Sequence, residues 1–269
     1  MKGVPMGADP FEIVCEIEPA TTPDLTRVRH QIGVLSPVAS SFLIPDNHIG
    51  RATVSSVAVA HEVEAMGGRS IACLNARDRN LLGFRRDLLT ASAYGVDQFL
   101  FVYGDEPLAG SRTSELTVRT MLAEGRRYVE GMRGGGEGGD SSPSMRFGAA
   151  TGLRPLPEWK RAADFLFVQI GFSLEDLLAW RARVGVDVPV YAGVIVVASP
   201  AMARNLTKEI PGLVVPDDLV KRLERDRNAG VDAACDLVAA IRDSGAFEGV
   251  HLIPVARYRE VSARLERVL

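Results

Sequence analysis

Short runs of β-branched and aromatic residues alternate along the chain with longer stretches in which apolar residues recur every three or four positions. Strands buried on both faces need continuous apolar runs, whereas the helices that cover them need only one apolar stripe, so this alternation is the mark of βα units around a parallel sheet. Eight runs read as strands: 11–18, 41–45, 69–74, 98–102, 146–149, 165–169, 189–194 and 250–254. Between them 54–66, 81–93, 116–132, 174–184 and 216–228 have helical period, and Pro216 before Asp217 and Asp218 marks a helix start with acids in its first turn. A last helix is expected over 257–269. Eight strands with intervening helices favour closure, and the expected architecture is a (β/α)8 barrel occupying residues 1–269 as a single domain.

The rival is an open doubly wound sheet, which often carries a GxGxxG turn after its first strand; none occurs here, nor does a GxxxxGK[ST] phosphate loop. The run Gly134 to Gly139, followed by Asp140, Ser141 and Ser142, falls after a helix and before a strand, the wrong order to cradle phosphate. It reads as a flexible Gly- and Ser-rich surface loop at about 134–144.

Composition narrows the partners. With 46% hydrophobic and 24% charged residues the chain is of globular type. A net charge of −3 without a basic tail argues against nucleic acid, whose binders concentrate Lys and Arg. No apolar run reaches the roughly 20 residues of a bilayer span, and residues 1–12 lack a signal-peptide core, so no membrane partner and a cytoplasmic location are expected. Three scattered cysteines, Cys15, Cys73 and Cys235, offer neither a disulfide framework nor a metal knuckle. A small-molecule substrate is the expectation, on a monomer or small homo-oligomer.

In such barrels chemistry gathers at the carboxyl ends of the strands. There the first strand carries Glu16 and Glu18, which period two puts on one side; the second runs into Asp46 and Asn47, the third into Asn75, the fourth into Gly104 and Asp105, and the sixth ends at Gln169. Asp46 also reads as a helix cap and Asn75 as an Asx-turn residue. Glu16 is harder to dismiss, since a carboxylate between Cys15 and Ile17 loses hydration unless it has a partner or a task. His30, His48, His61 and His251 are scattered without metal-ligand spacing. Arg77, Arg79 and Arg154 fall on loops at the mouth, where they read as solvated side chains or as attractors for an anionic substrate. Carboxylates and amides suit proton transfer and stabilisation of a cation.

The order and spacing of these residues resemble the methylenetetrahydrofolate reductase family. Cys15-Glu16-Ile17-Glu18-Pro19 is similar to the family's Phe-Glu-x-x-Pro motif, and the segment Gly95 to Asp105 to the one ending Leu-Arg-Gly-Asp. Ala163 to Phe172 resembles the strand ending Thr-Gln-Phe-Phe-Phe, and Ala192-Gly193-Val194-Ile195 the Pro-Gly-Ile that follows. The resemblance implies reduction of 5,10-methylenetetrahydrofolate to 5-methyltetrahydrofolate. In it Glu16 would be the general acid that opens the five-membered ring, Asp105 would stabilise the iminium cation, and Gln169 would orient the pterin. Asp46, Asn47, Asn75 and Glu18 would complete the substrate site, with Glu18 helping to keep Glu16 protonated.

The chain also departs from the family pattern. The Pro-Glu-x-His-Pro type segment of FAD-bearing members is replaced by Ala149 to Pro157 without a histidine, and the arginine of Leu-Arg-Gly-Asp is Tyr103. The expectation is therefore a flavin-independent reductase without FAD, in which NADH or NADPH passes hydride directly and Tyr103, Thr151 and Gly193 lie on the cofactor side. The alternatives are a conventional FAD-dependent reductase and a folate-binding or methyl-transfer barrel.

Overall fold

A computed structural model describes residues 11–133, 144–210 and 212–268; the expected loop at 134–144 lies, but for its last residue, outside the described residues. Eight parallel strands, β1 (Glu12–Glu16), β2 (Ser41–Ile44), β3 (Ser70–Asn75), β4 (Gln98–Val102), β5 (Arg146–Thr151), β6 (Phe165–Ile170), β7 (Val190–Ile195) and β8 (Gly249–Ile253), pair in chain order. The ring closes where β8 pairs with β1, with Glu12 opposite Gly249 and Val14 opposite His251. The fold is a (β/α)8 barrel.

Its outer wall is built from α1 (Thr26–Leu35), α2 (Ser56–Ala65), α3 (Leu81–Ala93), α4 (Val118–Arg133), α5 (Leu174–Val184), α8 (Ala229–Ser244) and α9 (Tyr258–Leu265). Two more helices, α6 (Pro200–Glu209) and α7 (Asp217–Leu223), sit between β7 and α8, and a single 3-10 turn, Glu158–Ala162, replaces a helix between β5 and β6. Helix α7 starts where Pro216 and its acids predict, but stops five residues short of the expected 228. Residues 224–228, Glu-Arg-Asp-Arg-Asn, have no apolar side chain to bury, and the Arg225 and Asp226 amides turn back to the Arg222 carbonyl at 3.0 and 2.8 Å. No helix among the described residues is long and apolar enough to cross a membrane.

Two apolar layers result. One fills the space between sheet and helices, and includes Cys15, Phe42, Phe99, Phe101, Phe147 and Trp180. The other fills the barrel itself with side chains from the opposite strand face: Val14, Leu43, Ile71, Cys73, Leu100, Phe165, Phe167 and Tyr191. Gly148 makes room for this inner layer, since a Cβ there would lie 2.1 Å from the Phe165 ring. The lower barrel is thus plugged, and the upper end remains for a site.

Candidate active site

Alternation along β1 turns Glu12, Val14 and Glu16 to the barrel interior. Glu12, at the lower end, accepts from the Tyr191 hydroxyl at 2.6 Å and pairs with Arg69 at 2.9 Å. Glu16, at the upper end, has one side-chain partner among the described residues, His251 Nε2 on the adjoining β8, 3.1 Å from its Oε2. The two side chains are only 16% and 11% exposed. His251 lies flat against Phe167, with ring centroids 5.2 Å apart and planes 15° from parallel. Cys73 faces the same space; burial, together with the nearby Glu16 and Asp46 carboxylates, pushes its thiol well above the ordinary range and keeps it protonated.

Above this floor opens a cavity of about 410 Å³, within the size range of small-molecule sites. Glu16, Asp46, Asp105, Thr151 and Gln169 all line it, so five of the residues marked in the sequence meet at one place. Gln169 owes its position to an irregularity of β6, whose register with β7 shifts between Phe167 and Ile170. Its side chain is exposed to the cavity, and its Oε1 accepts from the Ile170 amide at 3.0 Å. Asp105 stands at the rim, its Oδ2 accepting from the Ile49 amide at 2.9 Å. The preceding Gly104 has φ +91°, and a Cβ there would press to 3.1 Å on both Arg77 and Asn75.

Other marked residues do different work. Glu18 does not join Glu16: the sheet ladder ends when the Ile17 amide donates to Leu43 O at 2.9 Å, and the Glu18 backbone is then held by the Gln31 side-chain amide. Its carboxylate is half exposed and paired with Arg27 at 2.5 Å, so it is not the second carboxylate expected beside Glu16. Asn75 is fully buried; its amide donates to Asp46 Oδ2 at 2.6 Å and to Asp78 Oδ2 at 3.0 Å. Asn47, at φ +48°, donates to Asp78 Oδ2 at 2.8 Å and accepts from the Thr53 amide at 3.1 Å. Neither asparagine lines the cavity. Tyr103 is exposed beside it, with the Arg112 guanidinium 4.8 Å from its ring centre. Gly193 is buried within β7, where a Cβ would lie 2.5 Å from Val168 O; its smallness admits the β6 irregularity.

Two of the three loop arginines, Arg77 and Arg79, are not solvated as expected. Arg77 is 2% exposed, and donates to both oxygens of Asp78 and to the Asp105 carbonyl. Hydrogen bonding from Arg77, with Asn47 and Asn75 adding to it, holds the Asp78 carboxyl down at about 2 despite partial burial. Arg79 pairs with Asp46 and, at 2.8 Å, with Asp87. Burial works against its charge, but these carboxylates keep it firmly protonated. Arg154 remains exposed, its carbonyl accepting from Trp180 Nε1 at 3.0 Å.

Sequence reasoning missed three cavity residues: His251, His48 and Lys160. Lys160, on the turn before β6, donates to Ala150 O at 2.6 Å, and burial lowers its pKa from the usual lysine range. Among the described residues no group of three or more His, Cys, Asp or Glu is placed to hold a metal.

No curated protein matches the chain by sequence. A protein from Clostridium thermocellum, described as binding two copies of 5-methyl-5,6,7,8-tetrahydrofolic acid, shares the fold with TM-score 0.64 at 10% identity, over 96% of each chain. An EDTA monooxygenase from Chelativorans sp. BNC1 (TM-score 0.52, 8% identity, 96% of this chain and 93% of that one) shares the barrel. So does DmoA from Hyphomicrobium sulfonivorans (0.53, 10%, 96% and 88%). Residues 158–268 match the family model described as methylenetetrahydrofolate reductase. That match falls on β6, β7 and β8, the strands that bring Gln169 and His251 to the cavity, and over this part of its length the chain is similar to the methylenetetrahydrofolate reductase family.

Proposed function

We propose that the protein reduces 5,10-methylenetetrahydrofolate to 5-methyltetrahydrofolate, with NADH or NADPH as hydride donor and without flavin. The observation that carries this reading is the placement of Glu16 on the cavity floor with Asp105 and Gln169 lining the same opening. The protonated Glu16 carboxyl gives its proton to N10 as the N10–methylene bond breaks, and the N5 lone pair forms the C=N bond of the iminium cation. Asp105, at the rim of the cavity, sets a negative charge beside the cation as it forms. The Gln169 amide orients the pterin edge. Hydride then passes from the dihydronicotinamide to the methylene carbon, so one proton and one hydride are consumed per methyl group formed. Two bound reactants in near-attack geometry need no intermediate carrier.

The residues present fit a flavin poorly. At the position where FAD-bearing members have arginine stands Tyr103, its ring exposed and faced by Arg112, and the short β5–β6 connection has no histidine. No step is therefore routed through FAD. The fold shared with a protein that binds 5-methyltetrahydrofolate, the product of this reaction, is consistent with a folate ligand. The test is an anaerobic assay of the purified protein with methylenetetrahydrofolate and NADH or NADPH, with and without FAD. Turnover without added flavin, from protein with no yellow absorbance, is expected. Activity appearing only with FAD would sink the flavin-free reading; binding of folate without any turnover would make the barrel a carrier.

A further inference from the structure

Ring opening strips Glu16 of its proton at every turnover, and a carboxylate on the floor of a cavity occupied by two ligands has no free path to water. Resting on the functional reading above, the geometry points to His251 as the positioning partner that holds Glu16 in place and restores its proton. Nε2 of His251 lies 3.1 Å from Glu16 Oε2, and the stack on Phe167 fixes the plane of the ring so that this nitrogen faces the carboxylate. Among the described residues the second ring nitrogen has no protein partner, which leaves it to exchange with solvent.

The other ionisable groups around the cavity are poorly placed for this duty. Cys73, from β3, is held as a neutral thiol by burial. Asp46, after β2, is committed to Asn75 and Arg79. Lys160, before β6, spends a hydrogen bond on the Ala150 carbonyl, and Asp105 at the rim accepts from Ile49. His48 lines the rim, in the loop between β2 and α2. Among the described residues only His251 is within hydrogen-bond distance of the Glu16 side chain. In the step, the Nε2–H bond breaks and an O–H bond forms on Oε2 while the other ring nitrogen takes a proton from water, so the neutral ring passes from one tautomer to the other; once product has left, that nitrogen returns its proton to water and Nε2 takes one from water, which resets the ring for the next cycle. No electron changes hands, and the proton balance matches the one proton that the reduction consumes.

His251→Gln keeps an N–H donor of similar reach but cannot gain and lose a proton. It is expected to lower kcat on the order of 10²-fold while KM for methylenetetrahydrofolate moves by less than about threefold. Added imidazole or another small buffer acid should raise the variant's rate in proportion to its acid form, with no effect on wild type. A merely structural role would not produce that buffer dependence. A kcat within about twofold of wild type, or a loss that no buffer acid relieves, overturns the inference. His251→Asn, checked for folding by circular dichroism, serves if the first variant is unfolded. If wild type itself does not turn over the folate, the functional reading fails separately. The pairing is then judged by the ¹⁵N shift of His251 Nε2, which must move on Glu16→Gln and which disproves the contact if it does not.

Discussion

Two groups of polar residues occupy the same end of the barrel, yet they are built on opposite principles. Behind β2, β3 and β4 lies a closed lattice in which Asp46, Asn75, Arg77, Asp78 and Arg79 satisfy one another. Across the opening, between β1 and β8, Glu16 and His251 have one bond between them and a cavity above. A buried polar lattice with every group paired fixes loop geometry, because breaking any member strands another without water. A pair with spare valence fixes little and is available to a ligand. The lattice holds the Asp105 loop still, and the pair faces what that loop encloses.

The sharpest way to break this contrast is Glu16→Gln. Turnover of methylenetetrahydrofolate should fall on the order of 10²- to 10⁴-fold, the usual contribution of a general acid. The melting temperature should stay close to wild type, since glutamine still hydrogen-bonds His251. Retained turnover would remove the acid role; collapse of the fold would show that the pair is scaffold after all. Arg79→Met attacks the other side of the comparison. It leaves Asp46, only 4% exposed at the side chain, without its cation. Removing one partner of a buried ion pair costs about 3–5 kcal/mol, which should appear as a lower urea midpoint. Loss of rate without loss of stability would place Arg79 in the chemistry instead.

Acid provides a gentler probe of the same lattice. The Asp78 carboxyl titrates at about 2 in the fold against an ordinary 3.8. A depressed folded value means that its stabilising contribution is complete above the unfolded value and drains away as pH falls through the folded one. The gap in urea midpoint between wild type and Asp78→Asn should therefore be widest near about pH 5 and narrow toward about pH 2, as far down as the fold persists. A gap that does not change with pH would mean that Asp78 carries no special charge interaction.

Most of the barrel was legible because each strand is an apolar run bounded by turn residues; β4 falls on 98–102 both in the pattern and in space. Of the site, Glu16, Asp105 and Gln169 were legible as polar residues that end such runs. His251 is the same kind of signal, a polar side chain between Val250 and Leu252. It was weighed only for metal spacing along the sequence, and its partner lies 235 positions away, made a neighbour by closure of the ring. Arg77 and Arg79 were read as solvated because loop arginines usually are. The acids that bury them, Asp78 next in sequence and Asp46 from the neighbouring strand end, become a lattice only after β2 and β3 pair.

Glu18 gives the smallest expected effect and the finest edge to the comparison. Period two along an unbroken strand would set it beside Glu16, two carboxylates sharing a mouth. The Gln31 amide instead takes over its backbone just past the strand, and its side chain meets Arg27 in the open at 2.5 Å. An exposed ion pair of this kind is worth less than about 1 kcal/mol, and a carboxylate outside the cavity has no hold on a proton within it. Glu18→Gln should therefore leave stability within about 0.5 kcal/mol and turnover within about twofold of wild type. The pH profile of turnover should not move, because Glu18 is paired with Arg27 and does not line the cavity. A profile displaced by this substitution would return Glu18 to the site and require the chain after Glu16 to bend inward once substrate binds.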